Sequence, residues 1–116
     1  MDKISAWIVT WDWSGDHAEM DRPEILAFFA PSTDIGFIRQ FVENLYAEEE
    51  FTLEERVRWA ANPGGRPYKA TVEKGHVHCG HSPWLFARIV DDLEIMREES
   101  GKLVGAWKER KLGPSS

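Results

Sequence analysis

Residues 84–97 read WLFARIVDDLEIMR, and whether they form a helix or a strand decides the architecture. Leu85, Phe86, Ile89, Val90, Leu93 and Met96 fall at helical spacing, and Ser82-Pro83 would supply an N-cap and a first helical position. Read as a strand, Leu85, Ala87, Ile89, Leu93 and Ile95 alternate, with only Asp91 out of place. The residues downstream favour the strand. Glu99-Ser100-Gly101-Lys102 has the chemistry of a hairpin turn into Leu103 to Trp107, and a strand there needs a neighbour. The expectation is a strand over at least Leu93 to Arg97, with the residues before it compatible with either form.

Upstream, Lys74-Gly75 reads as a tight hairpin between Tyr68 to Glu73 and His76 to Cys79. With those two residues as the loop, Glu73 faces His76, Val72 faces Val77, Thr71 faces His78 and Ala70 faces Cys79. Facing residues share a side of a sheet, so Ala70, Val72, Val77 and Cys79 make an apolar side. Thr71, Glu73, His76 and His78 make a polar one.

At the start of the chain, Trp7, Val9, Trp11 and Trp13 alternate with Ile4, Ala6, Ile8, Thr10 and Asp12. This predicts a strand from Lys3 to Trp13 that is apolar on both faces, and hence central. Ser14-Gly15-Asp16 follows as a turn, and Pro23 and Pro31 bracket a second strand, Ile25 to Ala30. Ser32, Thr33 and Asp34 are all capable N-caps. After them Phe37, Ile38, Phe41, Val42 and Leu45 recur at helical spacing, opposite Arg39, Gln40, Glu43 and Asn44, which predicts a helix from Thr33 to Glu49. Thr52-Leu53-Glu54-Glu55 is a capping box opening a short helix that Asn62-Pro63-Gly64-Gly65 ends. The fold class expected is α+β: a mostly antiparallel sheet of about 4–6 strands, with one long and one short helix packed on one face. Residues 1–111 read as a single domain and 112–116 as a flexible tail.

Composition narrows the function classes. The 116 residues carry a net charge of −6 and are 42% hydrophobic, which suits a globular chain of one-domain size. Six acids and two bases lie between Glu43 and Arg58, whereas Lys102, Lys108, Arg110 and Lys111 oppose only Glu109 near the end. A negative field repels phosphate backbones, so nucleic acid is disfavoured as a partner outside the basic tail. No apolar run is long enough to span a bilayer and no secretory signal is visible, so the expected location is the cytoplasm and no membrane partner is expected. One cysteine, Cys79, leaves no internal disulfide framework.

The densest concentration of chemistry is His76-Val77-His78-Cys79-Gly80-His81. Histidines two apart on a strand share a face about 6.6 Å apart, within reach of one cation. His76, His78 and His81, with Glu73 opposite His76, form a candidate zinc-type site; His17 is a more distant candidate. Cys79 points away from the two imidazoles in a regular strand and reads as a core residue. A phosphatase-type loop is excluded because Leu85 stands where such a loop needs Arg. Asp16 beside His17 is a weaker acid–base candidate, since Asp at a turn commonly bonds its own backbone.

Six tryptophans are present, and Trp7, Trp11 and Trp13 form a ridge on one strand face. Such a ridge either packs beneath the helices as core or anchors a partner. A ligand pocket between helices and sheet would draw on Trp11, Trp13 and Arg66. The reading preferred from sequence is a small, acidic, non-catalytic interaction or regulatory protein. Glu48, Glu49 and Glu50, together with Trp11, Trp13 and Arg66, are its candidate binding residues. The partner would be a protein with a basic or apolar face, and homodimerisation through an open sheet edge is compatible with it. The alternative is a zinc-binding protein, hydrolytic in function, built on the histidine cluster.

Overall fold

The computed structural model describes residues 3–12, 24–62, 64, 68–80 and 84–109. Strand β1 (Ile4–Asp12) is followed by β2 (Ile25–Phe29), helices α1 (Ile35–Glu50) and α2 (Leu53–Ala61), and strands β3 (Thr71–Glu73), β4 (His76–Gly80), β5 (Trp84–Arg97) and β6 (Leu103–Glu109). All pairings among these strands are antiparallel. The strands run in the order β2-β1-β5-β4-β3, and β6 also pairs with β5. The described residues thus form an α+β fold with a six-stranded antiparallel sheet and two helices.

The ambiguous stretch resolves as one strand along its whole length. β5 covers all of 84–97, because its two ends serve different neighbours. Its first part pairs with β1 and β4, and its second part with β6. The residue that broke the alternation marks the join. Register with β6 shifts between Asp91 and Glu94, register with β1 shifts between Ile4 and Ala6, and Asp92 takes φ 54°. Asp tolerates that left-handed conformation better than branched residues do. Ser5 Oγ donates to Asp91 Oδ1 at 2.8 Å, tying β1 to the bulge. The helical spacing of the apolar residues in β5 comes from this bulge, which switches the inward face part-way along.

Two cores result. Trp7, Val9, Val77, Cys79, Leu85 and Ala87 turn to the side covered by Ile38 and Val42 of α1. On the opposite side Ala6, Ile8, Ile25, Val90 and Leu93 pack with Ile95, Leu103 and Trp107 from the second half of β5 and from β6. The β5–β6 hairpin therefore curls back over the face of β1 and β2, where Val104 bridges Glu24. Gly105 permits the approach: a Cβ there would lie 2.7 Å from Ile25 Cδ1 and 2.8 Å from the Glu94 carbonyl oxygen. Each fully buried Ile, Leu or Val adds about 1.5–3 kcal/mol. A lone two-stranded hairpin is marginal in water, so this second core is what holds β6 in place.

Local signals set the helix ends. Asp34 accepts from the Gly36 N–H at the start of α1. Thr52 and Glu55 form the reciprocal capping box of α2, with both bonds present. The β3–β4 hairpin has Glu73 opposite His76, Val72 opposite Val77 and Thr71 opposite His78. Two residues depart from the pattern. Val72, expected on the apolar side, is 44% exposed, because β3 is the edge strand and α1 packs over β4 and β5 instead. Glu43, expected on the polar side of α1, is only 6% exposed. Its Oε1 accepts the Ala70 N–H at 3.1 Å and lies 3.9 Å from Arg39 Nε.

That buried carboxylate joins α1 to the chain entering β3. Glu43→Ala leaves a buried N–H unpaired and is expected to cost about 2 kcal/mol in denaturant unfolding, whereas Glu43→Gln keeps an acceptor and costs less than half as much. Equal losses from the two substitutions would show that the bond to Ala70 does not contribute.

Candidate functional site

β4 separates two chemistries by its alternation. Val77 and Cys79 point into the helix-side core, and Cys79 is 1% exposed. His76 and His78 point to the other side of the sheet. Burial, reinforced by the nearby Glu43 carboxylate, pushes the Cys79 thiol up to about 12. A thiol held protonated this way is not a nucleophile at neutral pH.

The two imidazoles do not stand alone on their face. β4 pairs with β5 so that His78 lies opposite Phe86 and Gly80 opposite Trp84. The His76 ring stacks on Phe86 at 4.6 Å, and the His78 ring contacts Trp84 at 4.8 Å. Arg88 places its guanidinium carbon 4.4 Å from the centre of the Phe86 ring and donates to Thr10 Oγ1 at 3.3 Å. Phe86 is thereby in contact with both the His76 imidazole and the Arg88 guanidinium. Cation–π contacts of this kind contribute about 0.5–2 kcal/mol. Trp84, Phe86 and Arg88 were missed from sequence as partners of the histidines. Their signal was the strand alternation 84, 86, 88, visible only once residues 84–92 are read as extended.

The proposed metal ligands are distributed as follows. The rings of His76 and His78 are 6.0 Å apart, and Glu73 Oε2 lies 3.5 Å from His78 Nε2. His81 and His17 lie outside the described residues. Among the described residues no group of three or more His, Cys, Asp or Glu side chains is arranged to share a metal ion. The described part of the cluster is an imidazole–aromatic stack with one carboxylate contact.

Of the proposed binding residues, Trp11 is partly buried against the helix-side core alongside buried Trp7. Trp13 and Arg66 lie outside the described residues, as does the Asp16 turn. Glu48, Glu49 and Glu50 are exposed along the last turn of α1.

The segment after α1 supplies features the sequence did not reveal. Phe51 meets Trp59 edge-on at 4.7 Å and stacks on Tyr68 at 5.3 Å, and Trp59 contacts Tyr68 at 5.5 Å. These three rings fasten α2 beside α1. They spend the inner side of α2 on aromatic contacts and leave none of its residues buried. Leu53 is 67% exposed and Val57 61%, one turn apart on the outer side. No helix among the described residues is long and apolar enough to cross a membrane. Comparison with known proteins finds no match to a family model, a curated sequence or a solved structure.

The thiol gives a direct check on which side of β4 faces in. Cys79 is expected to resist iodoacetamide at pH 8 in the folded protein and to react fully in guanidinium chloride. Because its folded pKa lies above that of an unfolded thiol, about 8.5, the folded state keeps its proton longer. Stability therefore falls as pH rises from about 8.5 towards about 12. Cys79→Ala should remove that part of the slope. Rapid alkylation of the native protein would place the thiol at the surface.

Proposed function

We propose that this protein is a non-catalytic binding protein whose α1–α2 side takes a basic, amphipathic segment of a partner protein. The observation that carries the reading is the outer face of α2. Leu53 and Val57 are both more than half exposed, and α2 buries no residue of its own. Ala60 and Ala61 continue the stripe one turn on. An apolar stripe exposed on a short helix is costly in isolation and is a common mark of an interaction site.

Charge supports a particular kind of partner. Glu48, Glu49, Glu50 and Glu54 are all exposed within one stretch ending at the start of α2. Arg58 lies 3.9 Å from Glu54 but is itself two-thirds exposed, so it only partly offsets the group. An amphipathic helix with Lys or Arg flanking an apolar stripe would match both features. The carboxylates would speed encounter and set orientation, and the apolar contact would supply most of the affinity.

The test uses two variants that alter exposed residues and so should keep the native melting temperature within about 3 °C. One is Glu48→Lys/Glu49→Lys/Glu50→Lys; the other is Leu53→Ser/Val57→Ser. A partner captured by the wild-type chain is identified by mass spectrometry, purified, and titrated against all three proteins. A basic partner bound about tenfold more weakly by each variant, and more weakly still at high salt, supports the reading. A partner bound equally well by all three would place recognition elsewhere.

A further inference from the structure

A second, separate site sits where the sheet edge opens. β3 ends its pairing with β4 at Thr71 opposite His78, so the β4 edge beyond it is not covered by a strand among the described residues. Gly80 takes φ 96°, and a Cβ there would collide with the edge of the Tyr46 ring. The Tyr46 ring from α1 therefore closes against the strand where only glycine fits. Beside it Phe51, Tyr68, Lys69, Thr71 and His78 complete a cavity of about 240 Å³.

The walls are of two kinds. Phe51 and Tyr68 stack on each other at 5.3 Å with 30° between planes, and Tyr46 meets Phe51 edge-on at 6.0 Å. The lining residues with polar side chains are Tyr46, Tyr68, Lys69, Thr71 and His78. Each of these can donate a hydrogen bond. Among the described lining residues there is no carboxylate, in a chain with 20 acids against 14 bases. Glu73 sits just outside, 3.5 Å from His78 Nε2, where it holds that imidazole. Burial, with the negative charge of Glu50 nearby, raises the Tyr46 hydroxyl above its ordinary value, so it remains a donor at neutral pH. The wider hollow of about 620 Å³ at the β5–β6 turn differs on each count. It is bordered by Glu98, Glu99 and Arg97 and has no aromatic wall among the described residues.

We propose that this cavity binds a small organic anion: one planar ring carrying a carboxylate or a phosphate. The ring would lie against Phe51 and Tyr68, and the anionic oxygens would accept from Lys69, Thr71 and Tyr46. The volume sets the size, since drug-sized ligands need roughly 300 Å³ or more. The overall charge of −6 opposes any anion, but charges beyond about 8 Å are largely screened at physiological salt. The nearer carboxylates of Glu50 and Glu73 oppose it too, so binding rests on direct donation from Lys69, Thr71 and Tyr46.

The full chain is titrated with benzoate, phenyl phosphate and the neutral benzyl alcohol, followed by two-dimensional amide NMR. At least one anion is expected to shift the amides of Lys69, Thr71, His78 and Gly80 saturably, with benzyl alcohol about tenfold weaker or worse. The ratio of the two anion affinities identifies the preferred head group. Lys69→Met, at an exposed position, should weaken binding about tenfold, and Tyr46→Phe, which keeps the ring, about threefold or more. No saturable shift up to about 10 mM would overturn the proposal. So would shifts centred elsewhere, equal binding of benzyl alcohol, or unchanged affinity in Lys69→Met. The Leu53→Ser/Val57→Ser variant changes no charge and lies on the outer side of α2, so it leaves this titration unaffected and the two sites are judged separately.

Discussion

β5 is hydrogen-bonded to β1, β4 and β6 and contributes side chains to both hydrophobic clusters. This double use depends on the break at Asp91 and Asp92. Before the break the odd-numbered residues Leu85 and Ala87 face α1; after it Leu93 and Ile95 face the second core. A regular strand of that length would keep all four on one side. With the bulge, one strand supplies the floor of the helix-covered core and the outer wall of the other. Neither half of the molecule is then a free-standing unit. The hairpin β5–β6 has its inner side on β1 and β2, and α1 rests on strands that β5 holds in register.

The surfaces available for binding are set by what this arrangement leaves over. α1 covers β4 and β5 and leaves the edge strand β3 uncovered, and its Tyr46 ring closes on Gly80 at the end of β4. α2 is held by the rings of Phe51, Trp59 and Tyr68 and presents Leu53 and Val57 outward. On the opposite face the curled hairpin covers Ala6 and Ile8, leaving the rings of His76, His78, Trp84 and Phe86 to pack on one another farther along. Each surface is a consequence of where the two cores end.

Much of the fold is legible in local pattern. The Thr52 capping box, the Lys74-Gly75 turn and the alternation of β1 each rest on interactions within a few residues, and each is found in the structure. The β3–β4 register could be derived because a two-residue loop fixes it. The length of β5 was not legible, because a bulge makes a strand mimic helical spacing, and only β6 and β1 reveal it. Glu43 was misplaced for a related reason. Its helical position is intermediate, and its burial depends on an amide at Ala70, 27 residues away. At the histidine cluster the sequence indicated that His76 and His78 share a face, but Phe86 and Arg88 come from another strand and so were not foreseen. The small cavity was equally hidden, since its walls come from α1, the segment before β3, and β4.

If β5 ties the two cores into one cooperative unit, native-state hydrogen exchange should show it directly. The slowest amides of β1, β4 and the first half of β5 are expected to exchange through the same opening as the slowest amides of β6. Their free energies should agree within about 1 kcal/mol, with the same dependence on denaturant. A β5–β6 hairpin that opens at distinctly lower free energy and with a small denaturant dependence, while the helix-side core stays protected, would contradict it.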